Sequence, residues 1–408
     1  MSSAAEPSPL PTGIRLMALD PLFREDPYPI LAELRERDPI HHDTDLQRFI
    51  FTRHDDVEAI LKNPDYWSDP RKGIEGGFTR EFLGRDDEEP SMLLMDDPGH
   101  RRLRNLVRHP FTPRAVERWR SRAREVADRV IGELEDGEFD LVASVANPIP
   151  TVVIAELLGI DPENHAQFKS WSDASIKVAF TPVRKPADVK AADLAQAELT
   201  QFFRNEIERR RSKPGEDLMS SMLSAEESGD RLTEDEIVSQ CTLLLLAGNL
   251  TTTDLIGNAV MALLRNPDEL AKLRTRPELM KNTVEEVLRY DTPVTNSGRI
   301  AHEDIEIDGV QIGQGESLSV SLAAANRDPA VYPEPNRFDI ERADTHHQAF
   351  GGGQHFCLGA HLARLEAAET LSALMDRFPR LSFGEKGHHY AGNPSFRGFD
   401  EFWVRGER

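Results

Sequence analysis

Along most of the chain apolar residues return every three or four positions, the period of a helix that buries one face. Tyr28, Leu31 and Leu34 predict an amphipathic helix over 26–37, and a second follows over 54–62. The same spacing predicts helices over 113–134, 148–158, 162–179, 187–212, 279–290 and 358–377. The longest pattern begins at Thr233-Glu234-Asp235-Glu236, a capping-box signature, and continues through Ile237, Cys241, Leu244, Leu245, Gly248, Leu255, Ala259 and Leu263 to Arg265. At 1.5 Å per residue it measures roughly 45–50 Å, enough to cross a whole domain. Short alternating runs at 40–42, 49–52, 300–307 and 310–320 predict small strands, the last two joined by a tight turn at Asp308-Gly309, and a hairpin is expected over 394–404. Between Tyr66 and Met92 the periodicity disappears among glycines and acids, which predicts a long lid loop with Phe78 as a candidate lining residue. A Phe180-Thr181-Pro182 turn separates two of the helices.

Composition narrows the class. With 408 residues and 39% hydrophobic content the chain can bury a sizeable core, and the uninterrupted helical patterns predict one domain over 19–408 after a disordered tail at 1–18. No apolar run approaches the ~18 residues needed to cross a bilayer and the start lacks a signal-peptide pattern, so a cytoplasmic location without membrane attachment is expected. Two cysteines, Cys241 and Cys357, fit a reducing compartment, with Cys241 read as a core residue. Acidic residues outnumber basic ones 71 to 49, for a net charge of −22, which disfavours nucleic acid as a partner. The stretch from His100 to Arg129 departs from that balance with ten arginines, a basic patch suited to an acidic partner.

The candidate chemistry centres on Phe350-Gly-Gly-Gly-Gln-His355-Phe-Cys357-Leu-Gly359-Ala. Three glycines let the backbone approach a flat ligand, and Cys357 precedes a helical pattern, where unpaired amides favour thiolate. One sulfur without further cysteine or histidine ligands nearby cannot complete a structural zinc site, whereas a macrocycle supplying four equatorial nitrogens needs a single axial ligand from the chain. Elsewhere His100 and Arg104, four apart on a helix that starts near Asp97-Pro98, present two donors to one anionic group. In the middle of the long helix, Ala247-Gly248-Asn249-Leu250-Thr251-Thr252 places glycine and hydroxyls where a local bulge is expected.

These segments resemble, in order and spacing, the motifs of the cytochrome P-450 family. The resemblance implies a mainly helical P-450 fold with small sheets around a buried haem b ligated by Cys357, with Phe350, His355 and Gly359 in the ligand loop. It implies that His100, Arg104 and Arg299 hold the haem propionates, that Ala247 and Gly248 lie against the haem, and that Thr251, with Thr252 beside it, serves bound oxygen. Glu286, Arg289 and Arg342 become a buried structural lock. Phe78, Phe180, Leu246, Leu250, Val294, Asn296 and Phe396 become the walls of a pocket for a small organic substrate. His347 is read as structural. Arg101, Arg102 and Arg108 flank the face on which an iron–sulfur ferredoxin, reduced by an NAD(P)H-dependent reductase, is expected to dock. The implied reaction is insertion of one oxygen atom of O2 into that substrate.

One position departs from the family pattern: Leu250 stands where an acid is expected before Thr251. A leucine cannot relay protons. Asp254, one turn beyond Thr251, is a candidate substitute, with an acid engaged by a surface partner as the plainer reading. The departure keeps open peroxide-driven oxygenation or nitric oxide reduction on the same scaffold, and, further off, a non-enzymatic haem sensor.

Overall fold

A computed structural model of the chain describes residues 9–84, 91–178, 184–227, 229–343 and 345–408. The long helical pattern is one continuous helix, Glu234–Arg265, and everything else is packed around it. Its first turn is closed by the capping box: Glu236 N–H donates to Thr233 Oγ1 at 3.2 Å, and Thr233 N–H donates to the Glu236 carboxylate at 2.8 Å. Every residue from Thr252 to Leu263 is buried. The helix is long and apolar enough to cross a membrane by length and composition, but 61% of that window is buried inside the protein. It is a core helix, sheathed by Pro148–Leu157, Pro186–Ser212, Met280–Tyr290 and Ala360–Arg377.

The bulge expected near Gly248 is not present. Thr251 Oγ1 donates to the Ala247 carbonyl at 2.8 Å, yet that hydroxyl shares the carbonyl without breaking the helical ladder. The wide turn lies instead in the adjacent Val142–Ala146 segment, a π-type helix whose last carbonyl, on Ala146, accepts from Thr253 Oγ1 at 3.1 Å. Asn249 extends the same seam, donating to Ser172 Oγ at 3.0 Å.

A four-stranded sheet runs Ile40–Asp43, Arg48–Phe51, Ser317–Ser321, Asn296–Ile300, with only the central pair parallel. A three-stranded antiparallel sheet joins Arg380–Tyr390, Phe399–Glu407 and Gly137–Asp140. The alternations at 300–307 and 310–320 each divide: Asn296–Ile300 and Ser317–Ser321 belong to the large sheet, while Ile305–Ile307 and Val310–Ile312 form a separate hairpin about Asp308-Gly309. The pattern over 113–134 divides too, into Pro113–Glu117 and Arg120–Gly132.

Two further expectations are corrected. Residues 13–17 of the expected tail are packed: Gly13 N–H donates to Asp43 Oδ1 at 2.8 Å, and Leu16 and Met17 are buried. The lid from Tyr66 to Met92 is not structureless where it is described, since it contains a turn at Pro70–Lys72 and a helix at Phe78–Leu83. Asp69 caps the first, accepting from Arg71 N–H.

Candidate functional site

The cysteine loop is built by its glycines. Gly351 and Gly353 have φ of 66° and 63°, in the left-handed region open to glycine. A Cβ on Gly353 would stand 2.4 Å from the Leu61 carbonyl oxygen, so the close approach these glycines permit is to the His54–Lys62 helix. The loop then closes on itself, Cys357 N–H donating to the Phe350 carbonyl at 2.9 Å. Helix Ala360–Arg377 starts three residues later and points its N-terminus at the sulfur. The Cys357 side chain is open to solvent-sized probes on one side but lies deep among neighbouring groups, and that burial pushes its thiol up. The Gly359 N–H, Arg104 and Arg364 act in the opposite sense without prevailing. A helix N-terminus alone therefore does not make this sulfur a thiolate; a bound metal cation would.

Behind the loop stands a group that sequence reasoning passed over. Arg364 lies 4.3 Å from the centre of the Phe350 ring and donates to Glu285 at 2.5 and 2.9 Å. His347 Nε2 meets the same carboxylate at 3.1 Å. Burial raises the Glu285 carboxyl, but hydrogen bonds from His347 and Arg364 outweigh it and bring the group down to about 2. The available signal was the doubled Glu285-Glu286, one acid for each side of a helix.

Beside the sulfur four basic side chains converge. His100 and His355 lie with ring centres 4.1 Å apart. Burial, then Arg299, His100 and Arg104, lowers His355 to about 2, and burial followed by Arg104 lowers His100, so both rings are neutral at neutral pH. His355 Nε2 is buried with no hydrogen-bond partner among the described residues, and buried His100 Nδ1 has only Asp97 near it, at 3.6 Å, too far for a hydrogen bond. Arg299 is 5% exposed, brought down to about 10 by burial, and among the described residues its guanidinium donates only to the neighbouring Gly298 carbonyl, at 2.7 Å. Asp96, the acid it feels, is taken up by Ser68 N–H, Asp69 N–H and Lys72. Arg104 donates to the Phe356 carbonyl at 2.5 Å. Buried donors and a buried cation without an anion are expensive. The cluster fits the carboxylates of a prosthetic group whose metal meets Cys357, which is the arrangement a haem with two propionates would satisfy.

On the central helix, Leu246, Ala247, Gly248, Leu250 and Thr251 are only partly buried while Leu244, Leu245 and Asn249 among them are buried, so this stripe faces space that the packing leaves open. Thr252 does not share it: the residue is 3% exposed and about 100° round the helix from Thr251. The two threonines predicted together are separated. Asp254 is 4% exposed, and among the described residues no surface partner bonds it, which corrects the plainer reading of that residue.

The remaining wall residues divide. Val294 pairs with Phe396 in an isolated antiparallel bridge, and Arg397 N–H donates to the Pro293 carbonyl at 2.7 Å, so the 394–397 segment is stitched beside 293–296. Asn296 Nδ2 donates to the Pro394 carbonyl at 3.3 Å and to Thr295 Oγ1 at 3.2 Å, bonds that occupy its amide in holding this segment. Phe78 stacks on Phe82 of its own helix at 5.1 Å and under Arg48, on an inner strand of the four-stranded sheet, at 4.5 Å. Phe180 lies outside the described residues.

Further from the sulfur, Glu286 and Arg289 are both fully buried and joined by two hydrogen bonds of 2.8 Å. Arg342 adds contacts at 3.2 and 3.3 Å, and Asp339 N–H one at 3.0 Å. Of the basic stretch, Arg101 is paired with Asp97, Arg102 with Asp230 and Glu236, and Arg120, Arg122 and Arg124 with acids on neighbouring helices. Arg108, Arg114 and Arg118 remain exposed.

The family model described as Cytochrome P450 matches residues 49–386. The chain is 38% identical over 363 residues to putative cytochrome P450 YjiB of Bacillus subtilis, covering 87% of this chain and 88% of that one. It is 37% identical over 408 residues to cytochrome P450 monooxygenase PikC of Streptomyces venezuelae, covering 98% and 95%. Among solved structures, the bacillaene polyketide synthase cytochrome P450 PksS of Bacillus subtilis superimposes with a TM-score of 0.87 at 33% identity, covering 96% of this chain and 99% of that one. Matched almost end to end in sequence and in fold, the chain belongs to the cytochrome P450 family and is an oxidoreductase of its bacterial monooxygenase type.

Proposed function

We propose that this chain, one haem domain over 19–408, binds haem b through Cys357 and inserts one oxygen atom of O2 into a small organic substrate. The observation that carries the reading is the orphaned basic cluster of His100, Arg104, Arg299 and His355 beside a lone sulfur. When bound, the haem supplies oxygen activation, with the electron-rich sulfur assisting O–O cleavage. The chain's own residues do the rest. Cys357 would supply the protein's sulfur to the iron, and the Gly359 N–H would steady the charge on that sulfur. Arg299, Arg104 and the two histidines orient the propionates. Thr251 presents its hydroxyl on the open stripe, while Leu246, Leu250 and Val294 exclude water and offer an apolar wall. Glu286, Arg289 and Arg342 hold the segment under the site without touching substrate.

Electrons come singly from an iron–sulfur ferredoxin reduced by an NAD(P)H-dependent reductase, in the cytoplasm. Arg108, Arg114 and Arg118, exposed members of the basic stretch, suit that acidic partner better than Arg102, whose charge is spent on Asp230 and Glu236. For substrate, the name of PksS directs the first screen to polyketides, read by the low-to-high-spin shift of the haem absorbance. Carbon monoxide added to the reduced protein is expected to give the red-shifted thiolate band. Cys357→Ala that keeps both pigment and band would overturn the reading.

Leu250 favours a second reading. Hydrogen peroxide brings oxygen, electrons and protons together, so peroxide-driven oxygenation relaxes the need for an acid at that place. Product from ferredoxin, reductase and NAD(P)H, compared with product from peroxide alone, separates the two.

A further inference from the structure

The partly buried stripe on the central helix has a regular spacing. Leu243, Leu246, Ala247, Leu250 and Thr251 stand at i, i+3, i+4, i+7 and i+8, all of them partly accessible, while Cys241, Leu245, Asn249 and Thr252 on the opposite side of the helix are buried. The next position of that series, i+11, is Asp254. It is four residues beyond Leu250 and three beyond Thr251, so it shares their face one turn along, about 4.5 Å from Thr251 measured on the axis. The acid absent at 250 reappears a turn later on the same stripe.

The surroundings of Asp254 do not explain it as a structural residue. It is 4% exposed, and no hydrogen-bond donor among the described residues reaches its carboxyl. Its close neighbour is Gly398, where a Cβ would stand 1.7 Å from Oδ1. The C-terminal segment thus lies directly against the carboxyl and fixes its place without bonding it. A buried acid with no donor costs stability, so packing alone gives no reason for its presence. Burial first, and then the charge of Asp400, push its carboxyl well above the ordinary range. Asp400 is exposed on the Phe399–Glu407 strand, in reach of bulk water. At the other end, Thr251 Oγ1 spends its hydrogen on the Ala247 carbonyl, leaving its lone pairs free to accept.

We propose that Asp254 is the proton donor of the oxygen-binding face, filled from solvent through Asp400 and discharging toward the Thr251 hydroxyl across one bridging water. The proposal rests on the monooxygenase reading and supplies what Leu250 cannot. Each transfer returns Asp254 to its starting state: one proton leaves Oδ toward Thr251 and one arrives from the Asp400 side. Complete reduction of dioxygen to water takes four electrons from the ferredoxin and four protons, O2 + 4e− + 4H+ giving two H2O, and these protons are the ones routed.

The test uses the haem-loaded protein with a [2Fe–2S] ferredoxin, its reductase and NADH, and dioxygen as sole acceptor. Asp254→Asn is expected to slow NADH oxidation by about 10- to 100-fold and to raise the solvent isotope effect. Leu250→Glu placed in the Asp254→Asn background is expected to recover most of the rate, a rescue that a merely structural role would not show. Asp254→Asn is further expected to unfold at an equal or higher temperature than the wild type. Infrared spectra of protein carrying 13C-labelled aspartate should show a protonated carboxylic acid that disappears in Asp254→Asn, independently of turnover. Unchanged NADH oxidation in Asp254→Asn, failure of the Leu250→Glu rescue, or no loss of a protonated acid overturns the proposal. If the wild type instead turns over with hydrogen peroxide alone, the monooxygenase reading fails separately. The infrared signal, which needs no turnover, then decides on Asp254: a protonated acid lost in Asp254→Asn keeps it, and no such loss rejects it.

Discussion

Glu286→Gln removes one charge and almost no volume from the most completely buried ionic group near the site. Arg289 loses the charge of its partner and one of two 2.8 Å hydrogen bonds, since the glutamine amide keeps one acceptor oxygen and turns an NH2 donor toward the guanidinium groups of Arg289 and Arg342. What else surrounds the Arg289 guanidinium, 0% exposed, is uncharged: the carbonyls of Asn326, Pro335 and Arg337 and the rings of Tyr290 and Tyr332. Breaking a buried pair from one side leaves an uncompensated charge and costs about 3–5 kcal/mol. An unfolding entropy of roughly 2.1 cal/mol/K per residue, taken over 408 residues, is roughly 0.86 kcal/mol/K. The expected fall in unfolding temperature is therefore about 4–6 °C. Calorimetry on the haem-loaded protein checks it, with Arg211→Ala as control, because the Arg211–Glu208 pair is 49% and 65% exposed and pairs so placed contribute at most about 1 kcal/mol. A fall no larger than the control's would show that the lock is not an isolated buried charge system, and the argument from its burial would fail.

Other expectations follow from the same structure. Arg299→Leu should split by state: without haem the variant unfolds at a higher temperature, since a buried unpaired cation is gone, and with haem it loses cofactor about 10- to 100-fold more readily, as a charge-assisted bond of about 1.5–3 kcal/mol is lost; haem transfer to an acceptor globin measures the second. Gly353→Ala combines a φ of 63° with a 2.4 Å approach to the Leu61 carbonyl, and should destabilise by about 1–3 kcal/mol and broaden the haem absorbance. Glu285 is held at about 2 against an ordinary 4.5, so its contribution, about 3 kcal/mol, is complete above pH 4.5 and is lost as the pH falls toward 2. Burial lowers His347, whose stabilising share likewise fades as acidification charges the unfolded chain. Stability followed by denaturant between pH 7 and 3 should fall less steeply in Glu285→Gln, and an unchanged acid limb would refute the assignment.

What could be read from the sequence was what local spacing determines. The capping box at Thr233, the one-face pattern of the central helix and the glycine-flanked Cys357 are each settled within a few residues, and the structure builds them as their chemistry requires. Burial of individual polar groups was not legible, because it depends on which distant segment arrives. Asp254 looked like a surface acid on the sequence; Gly398, far along the chain, comes to lie on it and turns it into a sealed one. Arg102 looked like part of a docking surface until Asp230 and Glu236 were brought beside it. Thr251 and Thr252, adjacent in sequence, are parted by the 100° step of the helix, so only one of two equal-looking hydroxyls faces the open stripe. The same step that removes Thr252 from the site brings Asp254 into it. A motif read as consecutive letters therefore groups Thr252 with Thr251, which the helix parts, and omits Asp254 one turn on, so the stripe, not the string, is the unit on which a proton donor should be sought.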